Sequence, residues 1–460
     1  MKKEYKDAWS TYTEEDKELL FAYGERYRKF ISDNKTEREC VVDCIKIARE
    51  HGYKDLSEYT ELKAGDKVYA NYGNKSLLMF CIGTQDITSG MNLLGAHLDS
   101  PRLDLKPNPL YEDSNLALFK THYYGGVKKY QWVTLPLAIH GVVAKTDGSV
   151  VDVVIGESMD DPVVGISDLL IHLSAEQMSK KLSEAIKGED LNVCVGSLPI
   201  ENCEDDEKHK VKANVLKILN AKYGIVEEDL VSAELQIVPA GEARNYGLDN
   251  SMILGYGHDD RVCSYASFEA QLEVVNPTRT TGCILVDKEE TGSYGASGMH
   301  SRFFENTVAE VINLTQPYSD LKLRRTLANS KMLSSDVTAA HDPNHPSVLE
   351  KNNAAHFGKG VVFMKYTGSR GKSGSSEASA EYVAYLRKIM DDNNVTWQTC
   401  ELGRIDLGGG GTIAYILAQY AMDVIDCGVP VHSMHAPWEI VSKVDLYEMR
   451  KAYIAFLKNA

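Results

Sequence analysis

Apolar residues at helical spacing open the chain. Leu20, Tyr23, Tyr27 and Phe30 recur every three or four residues, as on one face of an amphipathic helix. Thr13 precedes them and has an acidic residue three positions on, which is typical of a capped helix start. The pattern therefore predicts a helix that begins just after Thr13.

Strand-like runs follow at 67–71, 76–82 and 92–97. The third run, NLLGAH, is short, apolar and without alternation, as expected for a buried central strand. It ends in a cluster of polar residues. Because active sites of open α/β sheets lie at the carboxyl ends of strands, this cluster is a candidate site.

A change of pattern marks residues 101–240. The run LPLAIHGVVAKTDGSVVDVVIGE predicts two strands joined by a tight turn at Asp147-Gly148. Few candidate catalytic residues occur in this region. We therefore expect 101–240 to be an inserted β-rich domain between two parts of a catalytic domain, 1–100 and 241–460.

Alternating strands and helices resume after residue 245. Strands are predicted at 283–286, 361–366 and 423–428, and helices at 302–314, 380–392, 411–422 and 444–459. This alternation predicts an α/β fold with a mixed, mostly parallel sheet flanked by helices.

Composition narrows the class of protein. The 460 residues are 43% hydrophobic and 25% charged, as in a globular protein, and carry a net charge of −16. Such a charge repels phosphate backbones and anionic lipid surfaces, so neither nucleic acid nor membrane is an expected partner.

The cysteines and the N-terminal residues indicate the cellular compartment of the protein. The nine cysteines include no CxxC pair, which argues against a zinc finger or a disulfide framework. The start, MKKEYKDAWSTYTEEDKELL, lacks the apolar core of a signal peptide. We therefore expect a cytoplasmic protein with reduced thiols.

Five polar clusters carry the candidate chemistry, each after a predicted strand or in an adjoining loop. The first holds His97 and Asp99, whose i, i+2 spacing points both side chains the same way along an extended segment. A carboxylate beside an imidazole commonly orients a metal-binding ring. Taken alone, the pair also fits a structural role.

Two further clusters are acidic. Asp259 and Asp260 precede a helical run, so Asp260 fits a helix cap and Asp259 is then available as a bridging ligand. Glu289 and Glu290 directly follow a buried strand, where two neighbouring carboxylates repel unless a cation compensates. A solvated acidic turn is the alternative at 289–290.

The last two clusters contain histidines. Asp336 and His341 lie in KMLSSDVTAAHDPNHP, and His435 lies between a predicted strand and helix. Each also fits an ordinary structural role. Together, two histidines and three or four carboxylates at strand ends are the ligand set of a paired-metal hydrolase, with Zn²⁺, Mn²⁺ or Co²⁺ as suitable ions.

At this point the sequence resembles the M18 family of metallo-aminopeptidases, the aspartyl-aminopeptidase-like family. The resemblance covers essentially the whole chain and rests on AHLDSPRLDLKPNP, DKEETGS, SSDVTAAHDPN, GRIDLGGGGTIA and SMHAPWEI, in the family's order. It implies a zinc-exopeptidase-like fold and an enzyme that releases N-terminal residues from peptides. Family members often have asparagine at the position of Asp260.

The resemblance implies a role for each matching residue. His97 and Asp336 would bind one divalent metal, and Glu290 and His435 the other, with Asp259 bridging the two. The ions implied are two Zn²⁺ per subunit, with Co²⁺ or Mn²⁺ as alternatives.

Other residues are implied in catalysis and substrate binding. Glu289 would be the general base, and Asp99 would orient His97. His172 would face substrate across a subunit interface, with a direct metal role as the alternative, and His341 is a further substrate-side candidate. Lys365 stands beside a glycine-rich basic loop and could pair with an acidic N-terminal residue of the substrate.

The resemblance further implies a homo-oligomer, a dodecamer built from dimers through the inserted domain. A related carboxypeptidase or deacylase is the alternative enzyme, which would need a carboxylate-binding arginine such as Arg102 or Arg244. A non-catalytic scaffold is the alternative of another class, although it would be expected to lose Glu289 or a ligand.

Overall fold

Two compact units make up the chain. The computed structural model describes residues 5–201 and 208–460. Unit 1 comprises the chain up to Asp99 together with Ala243–Met434 and Glu439–Ala460, and unit 2 comprises Ser100–Glu242 and His435–Trp438.

The first part of unit 1 begins with two capped helices. Thr13 accepts a hydrogen bond from the backbone of Asp16 and Thr36 from that of Glu39, and each acidic side chain accepts one in return. These reciprocal bonds satisfy backbone donors that a helix start leaves open, so the predicted start after Thr13 is confirmed. The elements are α1 (Glu14–Asp33), α2 (Glu37–Glu50), β1 (Lys54–Asp55), β2 (Lys67–Tyr72), β3 (Ser76–Cys81) and β4 (Asn92–His97).

Unit 2 is built on a six-stranded sheet of antiparallel pairs, in the order β8-β7-β10-β5-β6-β9. Ala144 pairs with Val150 across the turn, so the hairpin predicted at Asp147-Gly148 is confirmed. The elements are β5 (Arg102–Asp113), β6 (Leu116–Tyr124), β7 (Leu137–Ala144), β8 (Val150–Ile155), α3 (Ala175–Ser179), α4 (Leu182–Ala185), β9 (Val193–Gly196), α5 (Lys210–Tyr223) and β10 (Ala233–Pro239).

The chain then completes unit 1 with alternating strands and helices. The elements are β11 (Arg244–Tyr246), β12 (Met252–Gly255), α6 (His258–Leu272), β13 (Thr281–Val286), α7 (Phe303–Thr315), α8 (Asp320–Ala328), β14 (Lys331–Ser334), β15 (Thr338–Ala339), β16 (Val361–Met364), α9 (Ala380–Asp392), β17 (Trp397–Thr399), α10 (Ala414–Ala418), β18 (Asp423–Gly428), β19 (Pro430–His432), β20 (Glu439–Ser442) and α11 (Lys443–Asn459).

The central sheet of unit 1 has nine strands in the order β1-β2-β3-β13-β4-β14-β18-β16-β17. Strand β3 is antiparallel to both neighbours and β16 to β18, whereas the remaining pairs are parallel. Apolar cores cover both faces: α1, α2, α6, α9 and α11 contribute to one, and α7, α8 and α10 to the other. The predicted mixed, mostly parallel sheet flanked by helices is therefore confirmed.

One predicted helix is much shorter than expected. Of the run 411–422, only Ala414–Ala418 is helical. The Thr412 hydroxyl donates to the buried carboxylate of Asp426 at 2.6 Å, which fixes the chain outside the helix. Ala421 has φ 64°, a left-handed conformation that ends the run.

Two further properties of the described residues concern membrane spans and cysteines. No helix among them has the length and apolar character needed to cross a membrane. Eight cysteines are free thiols, and Cys203 lies outside the described residues.

Candidate metal centre

Three neighbouring strands of the central sheet deliver the polar residues of unit 1 to one edge. His97 ends β4, Glu289 and Glu290 follow β13, and Asp336 follows β14. Because β4 lies between β13 and β14 and is parallel to both, the carboxyl ends of the three strands meet.

His97 is the buried hub of this cluster, with only 2% of its surface exposed. Its Nδ1 lies 2.9 Å from the backbone carbonyl oxygen of Asp99, while its Nε2 lies 3.3 Å from Oδ1 of Asp259 and 3.8 Å from Oε2 of Glu289. A neutral imidazole that donates from Nδ1 carries its lone pair on Nε2. The ring is therefore oriented with Nε2 toward the carboxylates.

The charge around His97 is strongly negative. Burial alone would lower the pKa of His97, but the carboxylates of Asp259 and Asp99 and the charges of Asp260 and Glu289 outweigh it and raise that pKa well above its usual value. The pocket thus favours a positive charge at the Nε2 side of the ring.

Besides its contact with His97, Asp99 binds the backbone of Glu289 and Glu290. Its two carboxylate oxygens accept hydrogen bonds from the backbone nitrogens of Glu289 and Glu290, both at 3.1 Å. Lys288, just before them, has a left-handed backbone with φ 71°. This turn sets the direction in which the two glutamates leave the strand end.

Asp259 and Asp260 begin α6, and both are buried. The peptide bond between them is cis. The backbone nitrogen of Asp259 donates to Oε2 of Glu439 at 3.0 Å, and a carboxylate oxygen of Asp260 accepts from the backbone nitrogen of His97 at 3.3 Å. The acidic residue at position 260 is thus used to hold the strand end that bears His97.

Glu439 is a buried residue of this cluster to which the sequence analysis gave no role. It begins β20, is buried, and fixes the backbone of Asp259. Its only sequence signal is a single carboxylate ahead of an apolar strand, close behind His435.

Burial and mutual repulsion disfavour the charged form of the buried carboxylates in this cluster. Burial, followed by the charge of Asp260, raises the pKa of Asp336 well above its usual range, and burial, with the charge of Asp259, does the same to Asp260. A divalent cation among them would offset both the burial and the repulsion that raise these pKa values.

The donor atoms of unit 1 fit such a cation. Two groups offer ligand atoms that all lie within 4.8 Å of one another: His97, Asp259 and Asp336, and His97, Glu289 and Glu290. Imidazole nitrogen and carboxylate oxygen without thiolate suit Zn²⁺, Mn²⁺ or Co²⁺. The residues present therefore fit a catalytic metal.

Two of the predicted site histidines lie in unit 2. His435 belongs to its segment His435–Trp438, and its Nδ1 is 3.0 Å from the carbonyl oxygen of Gly126. His172 is exposed on a short helical turn, Ile171–Leu173.

The remaining substrate-side candidates lie in unit 1. The ring of His341 stacks on that of His356, with centroids 5.0 Å apart. Lys365 is half-buried just after β16, and its Nζ lies 4.9 Å from the ring centroid of Tyr366. Lys372, in the following loop, is 3.6 Å from the carboxylate of Glu377.

Of the two arginines that a carboxypeptidase could use, Arg102 is already engaged within unit 2, whereas Arg244 is exposed. Arg102 is buried, its Nε donates to Asp104 at 2.8 Å, and its guanidinium lies 3.8 Å from the ring centroid of Tyr124. Arg244 is exposed on β11.

Comparisons with known proteins show which family and which structures the chain is similar to. A family model described as Aminopeptidase I zinc metalloprotease (M18) matches residues 30–457. A protein of Clostridium acetobutylicum named "Probable M18 family aminopeptidase 1" is 60% identical over 461 residues, which cover 99% of each chain. The crystal structure of an M18 family aminopeptidase from Thermotoga maritima is 43% identical, covers 100% of both chains and superposes with a TM-score of 0.95.

A more distant structure shares the fold. It is the mApe1 dodecamer of S. cerevisiae, 22% identical, with a TM-score of 0.76, covering 95% of this chain and 96% of that one.

Proposed function

The chain belongs to the M18 family of zinc metallo-aminopeptidases, and we propose that it releases N-terminal residues from peptides at a dinuclear metal centre. The resemblance seen in the sequence is thereby confirmed at the level of family and enzyme class. The number of ions, the role of each residue, the substrate preference and the assembly are the content of the proposal.

One observation carries the proposal: His97 and Asp336, at the ends of adjacent strands, converge with Asp259 of the first turn of α6 in a buried, negatively charged cluster. We assign His97 and Asp336 to the first metal and Asp259 to the bridge between both metals. Asp259 suits a bridge because a carboxylate has two oxygens, and Glu439 fixes its backbone.

The second metal is assigned to Glu290 and His435, together with the bridging Asp259. His435 follows Met434, the last residue of its stretch of unit 1, by one position. Like His97, it has its Nδ1 at hydrogen-bond distance from a backbone carbonyl oxygen, 3.0 Å in this case. That arrangement leaves the lone pair of a neutral ring on Nε2, the atom that would ligate.

When bound, two divalent cations would lower the pKa of a water molecule and polarise the scissile carbonyl. Glu289 is the general base in this proposal: it takes a proton from the attacking water and delivers it to the leaving amine. Its side chain remains 17% exposed, which gives water access, and its backbone is held by Asp99. The cluster's carboxylates would hold the free α-amine of the peptide, which makes the enzyme an exopeptidase.

Assembly into a homo-oligomer, a dodecamer built from dimers, is part of the proposal. Unit 2 would mediate it, because the apolar side chains of Leu170, Ile171, Leu173 and Met178 are exposed by 55–71%. Such a stretch suits burial against a second copy of the chain. His172 stands within it, so we assign His172 to the substrate site of the neighbouring subunit.

For substrate preference we propose an acidic N-terminal residue, aspartate or glutamate. Lys365 would pair with the side-chain carboxylate of that residue. The Nζ atom of Lys365 lies 4.9 Å from the ring centroid of Tyr366, whereas Lys372 pairs with the carboxylate of Glu377. A charge-assisted hydrogen bond of this kind contributes about 1.5–3 kcal/mol. We also assign His341 a secondary contact with the substrate.

A cytoplasmic location completes the proposal. Its support is the set of eight free cysteine thiols among the described residues, which suits a reducing compartment.

The experiment that tests the proposed function combines chelation with product analysis. Removal of divalent metal should abolish release of free N-terminal amino acid from a peptide panel, and Zn²⁺, Co²⁺ or Mn²⁺ should restore it. Release from the C-terminus instead, or full activity of protein shown to be metal-free, would refute it.

A further inference from the structure

Two stacked rings and a third ring tilted against them lie in and beside the loop that follows the proposed base, and none of them has a part in the mechanism above. The rings of Tyr294 and His300 are parallel within 12°, with centroids 4.3 Å apart. Nε2 of His300 lies 2.8 Å from the hydroxyl of Tyr415, whose ring centroid is 5.7 Å away. We call Tyr294, His300 and Tyr415 the aromatic stack.

The stack is held in place from both ends. The backbone nitrogen of Ser293 donates to the carbonyl of Lys288 at 2.6 Å, and that of His300 donates to the carbonyl of Ser293 at 3.1 Å, so the loop closes on itself. Tyr415 belongs to α10 and packs against one of the two apolar cores of unit 1. A rigid loop and an anchored helix therefore fix the orientation of Tyr294.

The stack also lies close to Glu289. Tyr294 follows Glu289 by five positions in the same loop. The hydrogen bond of 2.6 Å from the backbone nitrogen of Ser293 to the carbonyl of Lys288 closes the turn Glu289–Thr291, so Tyr294 directly follows the turn that bears Glu289. The pKa of Tyr415 is raised by burial, then by Tyr294 and then by Glu289, in agreement with this placement. Tyr294 itself is 70% exposed, so one ring face is open to a ligand while His300 covers the other.

We propose that the aromatic stack binds the side chain of the residue that follows the scissile bond. This inference rests on the proposed function, in which Glu289 returns its proton to the leaving amine. That amine is the backbone nitrogen of the second residue of the peptide, so groups beside Glu289 face that residue.

The chemistry of the surface selects its ligand. An open tyrosine face backed by a parallel imidazole suits aromatic and long apolar side chains, which gain from ring contact and burial. Glycine at the second position would leave the surface uncovered. The stack thus makes the enzyme favour peptides with an aromatic second residue.

The test compares two dipeptide amides that share the best-cleaved N-terminal residue and carry phenylalanine or glycine second. The ratio of their kcat/KM values is measured for the wild type, Tyr294→Ala and Tyr294→Phe. The matched control is Tyr318→Ala, at an exposed tyrosine ahead of α8. Sedimentation velocity of each variant reports assembly.

The ratio should fall about three- to tenfold in Tyr294→Ala, as expected for loss of one aromatic contact. Tyr294→Phe keeps the ring face and Tyr318→Ala keeps the stack, so both should retain the wild-type ratio. An unchanged ratio in active Tyr294→Ala, an equal loss for both peptides, or an altered sedimentation coefficient would overturn the inference. If the wild type cleaves neither peptide, the proposed function fails, and this inference with it.

Discussion

The strand ends of unit 1 and the segment around His172 in unit 2 differ in which side chains they bury and which they expose. In unit 1, charged side chains are buried and hydrogen-bonded to one another's backbones, as Asp99 is to Glu289 and Glu290. In unit 2, apolar side chains such as Ile171 and Leu173 stand exposed around a histidine.

Each region departs from the usual distribution of polar and apolar residues, and each departure suits a different kind of partner. Buried carboxylates with raised pKa values suit the binding of a divalent cation. Exposed leucine and isoleucine side chains suit burial against another protein surface. We therefore assign the first metal and the general base to unit 1, and the assembly, together with the ligand His435, to unit 2.

The largest expected effect concerns the chemical role of unit 1. Glu289→Gln should lower kcat about 10²–10⁴-fold, because it removes a positioned general base. Metal content should stay at the wild-type level, since Glu289 is assigned no ligand role.

The control for this variant is Glu310→Gln, on the exposed side of α7. It should retain full activity. A Glu289→Gln enzyme with near-native kcat would remove Glu289 from the mechanism and leave the cluster as a binding site only.

The next effect concerns unit 2. Ile171→Asp should place a charge in the apolar stretch, reduce the sedimentation coefficient and lower activity, because His172 would no longer reach a neighbouring subunit. His172→Ala should keep the assembly and lower kcat/KM by roughly 10–100-fold, the value of a charge-assisted contact.

Val150→Asp is the matched control, since Val150 is also exposed in unit 2 but lies at the hairpin. It should change neither assembly nor activity. A wild type that sediments as a monomer at micromolar concentration would end the assignment of assembly to unit 2.

The smallest effect concerns selectivity. Lys365→Ala should lower the preference for aspartyl over leucyl peptides about tenfold, through loss of one charge-assisted hydrogen bond. The ratio of kcat/KM values measures this, with Lys351→Ala at an exposed position as control. A leucyl preference that Lys365→Ala does not change would contradict the acidic-substrate proposal alone.

Local signals in the sequence predicted much of the fold. The capped start after Thr13 and the turn at Asp147-Gly148 depend on neighbouring residues, and both are confirmed. The run 411–422 was overpredicted as a helix because its start is set by Asp426, outside the run, which accepts a hydrogen bond from Thr412. No local pattern reports such a contact.

The same distinction applies to the site. Strand-end positions identified His97, Glu289 and Glu290 as neighbours in space, because parallel strands bring their ends together. Asp336 follows β14, a strand that the sequence pattern did not predict. Sequence favoured a helix cap at Asp260, but its carboxylate accepts a hydrogen bond from the backbone of His97. Glu439 was missed because its role depends on its position beside Asp259 in the folded chain.

The central claim is a dinuclear centre bridged by Asp259, and metal counting tests it most directly. Elemental analysis of purified, folded protein should give two divalent ions per chain for the wild type and one for Asp336→Ala, which removes a ligand of the first metal alone. Asp259→Ala should lose both. Two ions still bound in Asp259→Ala, or a single ion in the wild type under saturating metal, would contradict the account.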